Sequence, residues 1–271
     1  MTPERKGPQQ RWAAHATFAA ATAISVGDAI AVNDVDIVTR KKGRANFATA
    51  ADHAAESAIL KAIRAHDPGT PILAEESAEA ALAKAERLWV VDPLDGTLNF
   101  SRAIPFYCVA IAYVEDGRVR AAAVHAPRLG ESFAASDGGG ATLNGRPIRV
   151  SGVRRASEAF TASSLAFRSA AKPGSRFLAL NGQVARLRII GAAALEISYV
   201  AAGRIDLFVH EFLSPWDIAA AGLIAREAGA AVVSLRTGAD AAWDEQEVII
   251  GTPAVVKDAL ATMALVKKKR R

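Results

Sequence analysis

The stretch Trp89-Val-Val-Asp-Pro-Leu-Asp-Gly-Thr-Leu-Asn-Phe100 decides the fold. Its apolar beginning predicts a short buried strand. Asp92 and Pro93 are expected to end that strand, because proline has no N–H group to donate to a neighbouring strand. Asp95 follows, and Gly96 with Thr97 predicts a turn or the start of a short helix. A strand that ends in two carboxylates and leads into a helix start is suited to chemistry.

Asp92 and Asp95 are suited to a hard divalent cation such as Mg²⁺, which prefers oxygen ligands. The N–H groups of Gly96 and Thr97 are suited to a phosphate oxygen, because a helix N-terminus presents unpaired donors and a partial positive charge. The alternative is an Asp-Pro turn capped by Asp95, which would be favoured for an isolated D-P-x-D. The longer string D-P-L-D-G-T-L-N-F favours the functional interpretation.

The composition narrows the class of protein. The 271 residues allow one large domain or two closely packed ones, and 51% of them are hydrophobic. We expect no membrane contact, because no apolar run approaches the roughly 18 residues that span a bilayer and the N-terminus lacks the apolar core of a signal peptide. The single cysteine, Cys108, excludes an internal disulfide and Cys-rich zinc sites. It is expected to be an inert core residue of a cytoplasmic protein.

The charge is concentrated at one end of the chain. The net charge is +5, and residues 267–271 carry five positive charges, so the rest is neutral (5 − 5 = 0). We expect a solvated, disordered basic tail. The alternative is a weak, salt-sensitive attraction of this tail to nucleic acid or an anionic surface. Aromatic residues make up only 6% and do not alternate with basic ones, so no other nucleic-acid contact is expected.

The first third of the chain predicts two helices. Residues 9–33 predict an alanine-rich helix interrupted by Gly27. Residues 38–48 are basic and fit either a surface loop or a mobile flap that carries positive charge over a phosphate. A second helix is expected to begin at Thr49, a suitable N-cap, with Asp52 in its first turn. The helix dipole alone explains an acidic residue there, so a role for Asp52 in a site stays open.

Glu75 and Glu76 follow a strand predicted over residues 71–74 and precede a helix predicted over 78–87. Adjacent carboxylates repel each other unless a cation lies beside them. An exposed acidic turn explains the pair equally well.

The middle of the chain predicts β-hairpins. Residues 107–114 and 119–125 flank an Asp-Gly turn, and residues 131–135 and 141–143 form a second pair of strands. Gly138 to Gly140 is assigned to a hairpin tip, because it lacks the Gly-Lys-Ser/Thr sequence that follows in a phosphate-binding loop.

The last third alternates strands and helices, which predicts a layered α/β half beginning near residues 151–156. The strands are expected at 159–163, 186–190, 205–209, 231–234 and 247–251, and the helices at 175–185, 193–202, 216–228 and 253–265. The small residues from Gly191 to Glu196 suit either close approach to a ligand or plain helix packing. Asp217, in the first turn of its helix, is either a ligand or an acid that the helix dipole favours.

Four strings together resemble the signatures of the inositol monophosphatase family over roughly residues 35 to 255: D-P-L-D-G-T-L-N-F, T-A-A-D-H-A-A-E, A-E-E-S and W-D-I-A-A-A. Ala74 replaces a glycine of the family. The resemblance implies a layered αβαβα sandwich of the inositol monophosphatase and fructose-1,6-bisphosphatase type. Its α+β half, residues 1–152, has an antiparallel sheet and most metal ligands. Its α/β half, residues 153–271, supplies Asp217 and the substrate pocket. A homodimer is also implied.

The resemblance implies two Mg²⁺ ions and a third, weaker one near Glu75. Glu75, Asp92 and the carbonyl of Leu94 would hold the first ion, and Asp92, Asp95 and Asp217 the second.

The same resemblance implies the catalytic groups. Glu75 and Thr97, with Thr97 backed by Asp52, would orient the attacking water, Gly96 and Thr97 N–H groups would hold the phosphate, and Glu76 would support Glu75. No covalent intermediate, and so no nucleophilic Cys or Ser, is expected.

The substrate pocket would be lined by Asp95, Ala193, His210 and Asp217. Many inositol-directed members have a glutamate where this chain has His210, and a partly exposed histidine at a strand end is the alternative. The implied reaction is hydrolysis of inositol 1-phosphate or a similar sugar or polyol phosphate, with inhibition by Li⁺. Alternatives are a 3'(2'),5'-bisphosphate nucleotide, fructose 1,6-bisphosphate or histidinol phosphate as substrate, and, more remotely, a non-catalytic RNA-associated or regulatory role.

Overall fold

A computed structural model describes residues 7–32, 40–41, 47–48, 50–77, 85–163, 180 and 182–269. Thr49, most of the predicted flap and most of the predicted helices 78–87 and 175–185 lie outside these residues. The described residues form the helices α1 (Pro8–Val32), α2 (Ala50–His66), α3 (Thr97–Phe100), α4 (Ala193–Ala201), α5 (Pro215–Glu227) and α6 (Pro253–Lys269).

The strands build two sheets and a small ribbon. Their bounds are β1 (Arg40–Lys41), β2 (Phe47–Ala48), β3 (Ile72–Ala74), β4 (Arg87–Asp95), β5 (Cys108–Glu115), β6 (Arg118–Ala126), β7 (Glu131–Ser136), β8 (Gly140–Leu143), β9 (Arg146–Pro147), β10 (Phe160–Ser163), β11 (Arg186–Arg188), β12 (Leu207–His210), β13 (Ala231–Ser234) and β14 (Val248–Gly251). The seven-stranded sheet has the order β3-β4-β5-β6-β7-β8-β9, and the five-stranded sheet has the order β11-β10-β12-β14-β13. Strands β1 and β2 pair in the ribbon.

The apolar residues of β4 explain why both faces of the seven-stranded sheet are covered. Side chains alternate along a strand, so Trp89 and Val91 pack against α1 and α2 on one face. Leu88 and Val90 pack on the other face, in a core that includes α4 and α5.

The same middle helices also pack on the five-stranded sheet, where Phe208 of β12 and Ile250 of β14 join their core. On the far face of that sheet, Val209 and Ile249 pack against Val255 of α6. The layers are therefore α, β, α, β, α, which confirms the predicted sandwich. One core runs from the first sheet to the second, and the division at residue 152 stays a prediction.

Strand β4 differs from the prediction that Asp92 and Pro93 end it. The strand continues to Asp95, and its pairing with β5 shifts register between Asp92, opposite Ala110, and Asp95, opposite Cys108. A bulge tolerates a proline because the extra residues are not paired in the ladder. The bulge places both aspartates on one distorted stretch of backbone.

The helix prediction is wrong at four places. Helix α1 is continuous through Gly27, where a Cβ atom would lie 2.8 Å from Cδ2 of His125, so the glycine allows close packing on β6. Helix α6 continues to Lys269, because no breaker follows residue 265, so residues 267–269 are helical rather than disordered. Arg87 belongs to β4, and residues 182–185 are not helical.

The hairpins are confirmed. Asp116 and Gly117 both have positive φ, as a two-residue turn between β5 and β6 requires. At the tip between β7 and β8, the N–H groups of Gly138 and Gly140 donate to the carboxylate of Glu227 at 2.9 and 2.8 Å. The glycine run therefore binds an anion of its own chain. In the described part of the chain, no helix has the length and apolarity needed to span a bilayer.

Candidate metal and phosphate site

Three aspartates from two distant elements meet between the sheets. The bulge of β4 supplies Asp92 and Asp95, and the first turn of α5 supplies Asp217. One carboxylate oxygen from each lies within 4.8 Å of the others. All three donors are oxygens, which suits a hard divalent cation. We call Asp92, Asp95, Asp217 and the neighbouring Glu75 the acidic cluster.

Local sequence explains the position of Asp217. Helix α5 begins with Pro215, whose missing N–H would be unpaired at this position in any case. Asp217 Oδ2 accepts the N–H of Ser214 at 2.6 Å, the carboxylate half of a capping box. The helix then buries Ile218 and Ala219 in the central core, which fixes its first turn beside β4.

Asp95 is fixed by contacts with the start of α4 and with β5, the neighbouring strand of its own sheet. Its Oδ1 accepts the N–H of Ala193 at 3.1 Å, and its Oδ2 accepts the N–H of Ala194 at 2.7 Å. Cys108 is buried as predicted, and its thiol donates to Asp95 Oδ2 at 3.6 Å. Burial raises the pKa of this thiol well above its usual range, so it stays protonated and is a poor nucleophile.

Asp92 and Thr97 form the other side of the site. Asp92 is buried, and its Oδ1 accepts the N–H of Leu94 at 3.0 Å. Thr97 Oγ1 lies 3.0 Å from the Leu94 carbonyl oxygen and 3.3 Å from Oδ1 of the buried Asp52, so its proton is donated to one or the other. The predicted pairing of Thr97 with Asp52 is present in the structure.

Gly96 is required by its backbone. Its φ is +92°, and a Cβ atom there would lie 3.1 Å from both the Ala192 Cβ and the Phe106 carbonyl oxygen. The turn at Gly96 brings the chain into α3, whose first N–H groups have no acceptor within the helix. These donors lie directly after Asp95, as the sequence predicted.

The electrostatics of the acidic cluster favour a cation. Burial, followed by repulsion from Asp217 and Asp52, raises the pKa of Glu75 to about 8. Burial and then the charge of Glu75 raise the pKa of Asp92 well above its usual range. Burial also raises the pKa of Asp95 to about 6 and that of Asp217 to about 7, although backbone N–H groups bonded to each of them act in the opposite direction. Protons and a cation therefore compete for these carboxylates near neutral pH.

Glu76 and Ala193, two further residues that the resemblance singled out, contact groups next to the acidic cluster. Glu76 Oε2 lies 3.7 Å from His53 Nδ1, and the Glu76 N–H donates to Glu56 Oε2 at 2.9 Å. Ala193 is at the start of α4, with its N–H bound to Asp95.

His210 is not a partly exposed histidine, because only 8% of it is exposed. Its ring stacks on Phe208, and its Nδ1 accepts the N–H of Phe212 at 3.0 Å. Burial lowers its pKa to about 4, so the ring is neutral and its proton is on Nε2. His210 therefore offers a neutral donor.

Sequence reasoning missed two residues that hold the site together. Asn99 Nδ2 donates to the carbonyl oxygens of Phe106 and Ile190, both at 2.8 Å. The buried Glu196 accepts the N–H of Ile190 at 2.9 Å. Both residues lie inside stretches that the sequence had singled out, and a polar residue within an apolar run was the available signal.

The αβαβα sandwich, with a partly buried all-oxygen cluster beside a glycine-opened helix start, fits the class of phosphatases that use a divalent cation. The comparisons agree: the model of the inositol monophosphatase family matches residues 9–268, and the chain belongs to this family.

Relatives support the assignment and differ in name. A fructose-1,6-bisphosphatase/inositol-1-monophosphatase of Thermotoga maritima is 40% identical over 200 residues, covering 73% of this chain and 75% of the relative. Nus factor SuhB of Escherichia coli K12 is 39% identical over 227 residues, covering 82% and 84%. The Dictyostelium discoideum inositol monophosphatase is 37% identical over 223 residues, covering 79% and 81%.

Among solved structures, the Thermotoga maritima inositol monophosphatase superposes with a TM-score of 0.84 at 32% identity, covering 94% of this chain and 99% of that one. An IMPase/NADP phosphatase solved with Mg²⁺ and phosphate has a TM-score of 0.81 at 22% identity, covering 95% and 96%, and shows a shared fold.

Proposed function

We propose that this protein hydrolyses a small phosphate monoester with Mg²⁺, and that inositol 1-phosphate or a similar sugar or polyol phosphate is its substrate. The observation that carries the proposal is the convergence of Asp92, Asp95 and Asp217 within 4.8 Å. These residues come from two layers of the fold, and in the cluster burial, followed by mutual repulsion, raises the pKa values of Glu75 and Asp92.

The donor set fits Mg²⁺, because it offers only oxygens and carries an excess of negative charge. Glu75, Asp92 and the Leu94 carbonyl would hold one ion, Asp92, Asp95 and Asp217 a second, and Glu75 would lie beside a third, weaker one. Two such ions stabilise the attacking and leaving oxygens of an in-line displacement.

The chain itself would position the reactants. The N–H groups of Gly96 and Thr97 would bind the phosphate oxygens, since they open a helix beside the cluster. Glu75 and Thr97 would orient the attacking water, and Asp52 is placed to hold Thr97. Direct attack by water is consistent with the raised thiol pKa of Cys108.

Asp92→Asn tests the proposal. We expect the substitution to abolish Mg²⁺-dependent phosphate release and to leave the circular dichroism spectrum unchanged, because it removes a ligand charge and keeps the shape. The matched control is Asp244→Asn, the same change at an exposed residue, which should retain full activity. Turnover of Asp92→Asn at the rate of the natural protein would overturn the scheme.

One observation favours a second candidate, a bisphosphorylated substrate such as fructose 1,6-bisphosphate or a 3'(2'),5'-bisphosphate nucleotide. The Nε2–H group of the neutral His210 is a donor, and hydrogen bonds to charged acceptors such as a second phosphate are the stronger ones. A panel of phosphate esters with released phosphate as readout separates the two candidates. Under the second one, His210→Glu should lose bisphosphate turnover and retain inositol 1-phosphate turnover.

Assembly and inhibition complete the proposal. Leu98, Ile104 and Ile189 are 50%, 46% and 53% exposed, and Asn99 connects their segments by its bond to Ile190. These exposed apolar side chains are suited to a homodimer interface, which sedimentation analysis would test. A staphylococcal inositol monophosphatase has been solved as an inhibitory complex after soaking in LiCl, which supports Li⁺ inhibition here. A cytoplasmic location and binding of the basic tail to nucleic acid stay predictions.

A further inference from the structure

The start of helix α4 is held by two polar side chains that the proposed reaction leaves unused. We propose that Glu196 and Asn99 are positioning residues, which fix the backbone of residues 190–195 so that Asp95 keeps the orientation a divalent cation requires. The proposal rests on the proposed function only in naming that cation.

The two side chains hold the two backbone polar groups of one residue, Ile190. The Ile190 N–H donates to Glu196 Oε1 at 2.9 Å, and the Ile190 carbonyl oxygen accepts from Asn99 Nδ2 at 2.8 Å. Glu196 belongs to α4, which follows directly after residues 190–192. Asn99 belongs to the stretch that contains Asp95. The pair therefore fixes the segment relative to that stretch.

The segment has a shape that needs such support. Gly191 has a φ of +88°, and a Cβ atom there would lie 3.6 Å from Asn99 Nδ2. Next to it, Ala192 lies so close to Gly96 that a Cβ atom on the glycine would be 3.1 Å away from the Ala192 Cβ. Movement of residues 190–192 would press on the turn that follows Asp95.

The segment then leads directly to the N–H groups that orient Asp95. Ala193 donates to one carboxylate oxygen at 3.1 Å and Ala194 to the other at 2.7 Å. Since both oxygens are held, the carboxylate cannot rotate without breaking one of these bonds. Only its remaining lone pairs are free to bind a cation together with Asp92 and Asp217. Contacts that orient a ligand in this way usually change metal affinity by about 10- to 100-fold when they are removed.

Burial shows that Glu196 is not an ordinary helix acid. Only 1% of it is exposed, and burial raises its pKa to about 8, with backbone N–H groups of Ile190 and Gly191 acting against this shift. No positively charged side chain contributes to this shift. The contacts of Glu196 with the backbone of Ile190 and Gly191 give a reason for its presence.

The test compares Glu196→Ala with Glu196→Gln by calorimetric titration with Mn²⁺ in the absence of substrate. We expect Glu196→Ala to raise the Mn²⁺ dissociation constant about 10-fold. Glu196→Gln keeps an acceptor oxygen and should stay within about threefold of the natural protein. In turnover assays with inositol 1-phosphate, Glu196→Ala should raise the Mg²⁺ concentration for half-maximal rate and leave kcat at saturation nearly unchanged.

Glu115→Ala is the matched control. Glu115 is also a buried acid, but it bonds to Arg11 and Trp12 at the end of β5, so its loss should lower the melting temperature without changing Mn²⁺ affinity. Asn99→Ala is the second variant and decides the question if Glu196→Ala does not fold, because it should show the same loss of affinity.

The proposal is overturned if Glu196→Ala, or Asn99→Ala in its place, lowers the melting temperature and binds Mn²⁺ like the natural protein. Equal loss of affinity in the Glu115→Ala control overturns it as well. If the natural protein binds Mn²⁺ and hydrolyses no phosphate ester, the proposed function fails, and the positioning role is still decided by the calorimetry.

Discussion

Helices α4 and α5 both begin at the acidic cluster, yet their N-termini are capped in different ways. At α5 the cap is local, because Asp217 of the first turn accepts the N–H of Ser214. At α4 the N-cap residue is Ala192, which has no side-chain acceptor, and Asp95 accepts the helix N–H groups from 98 and 99 residues away. The same need for acceptors at a helix start is met once by local sequence and once by tertiary packing.

This difference indicates that Asp95 and Asp217 contribute unequally to the stability of the fold. Both are candidate metal ligands, but Asp95 also joins the motif of the first sheet to a helix that packs on the second sheet. Asp217 keeps its helix bond with a single oxygen. We therefore expect the metal-binding role to be shared and the structural role to be concentrated at Asp95.

Asp95→Asn and Asp217→Asn should separate these roles most strongly. Both should reduce phosphate release at least about 100-fold, since each removes a ligand charge. Without metal, Asp95→Asn should lower the free energy of unfolding by about 1–3 kcal/mol, because an amide has one acceptor oxygen and leaves an N–H group of α4 unpaired.

Asp217→Asn should be as stable as the natural protein or more so in the same assay, urea unfolding with EDTA. Its amide oxygen still accepts the Ser214 N–H, and the substitution removes one charge from a repulsive cluster. Equal destabilisation of the two variants would contradict the distinction between α4, which is capped by the distant Asp95, and α5, which is capped by its own Asp217.

The second-largest effect is expected in the pH dependence of stability, because the acidic cluster has raised pKa values. The pKa is about 7 for Asp217 and about 8 for Glu75, against 3.8 and 4.5 for the unperturbed groups. Between pH 6.5 and 8 the native state therefore binds more protons than the unfolded state, so the free energy of unfolding falls as pH rises. His210, with its lowered pKa, acts in the opposite direction, most strongly below its ordinary pKa of 6.5 and progressively less above it.

Melting temperatures with EDTA should accordingly decrease from pH 6.5 to 8, and Asp217→Asn should decrease less. Saturating Mg²⁺ should reduce or reverse this slope, because protons compete with the cation and bind less as pH rises. A melting temperature without metal that rises over this interval would show that the carboxylates titrate at ordinary pH values.

The smallest effect is expected from giving α4 a cap of its own. Ala192 has φ −142° and ψ 96°, which is the backbone conformation of an N-cap residue. In the Asp95→Asn background, Ala192→Ser should restore about 0.5–1 kcal/mol of unfolding free energy and no activity. If stability does not recover in urea unfolding, the loss in Asp95→Asn comes from a source other than the helix N–H groups.

The contrast between the two caps also shows what sequence could predict. The start of α5 was predictable within one residue, because proline and an acidic first turn mark it locally. The cap of α4 was not, since nothing near Ala192 indicates Asp95. The sequence predicts that Asp92 and Pro93 end the strand, but β4 pairs with β5 on both sides of Pro93 and forms a bulge there. In these cases a distant partner decided the local structure.

Gly27 and His210 show the same limit. A glycine weakens an isolated helix by about 1 kcal/mol, yet contact with His125 explains why α1 runs through it. The position of His210 at a strand end was foreseen, and its burial, which fixes its proton on Nε2, was not. Asp92 and Asp95 were predictable as ligands from residue type and spacing, whereas Glu75 and Asp217 were predicted as ligands only by the resemblance to the family.

The bond between Glu227 and the glycine hairpin tip has a consequence for the whole middle layer. Helix α5 is anchored at its far end to the edge of the first sheet through Gly138 and Gly140, and its near end carries Asp217. Its 13 residues make a rod of about 20 Å. The glycine hairpin and the acidic cluster are thus connected by one helix, which holds Asp217 at one end and Glu227 at the other.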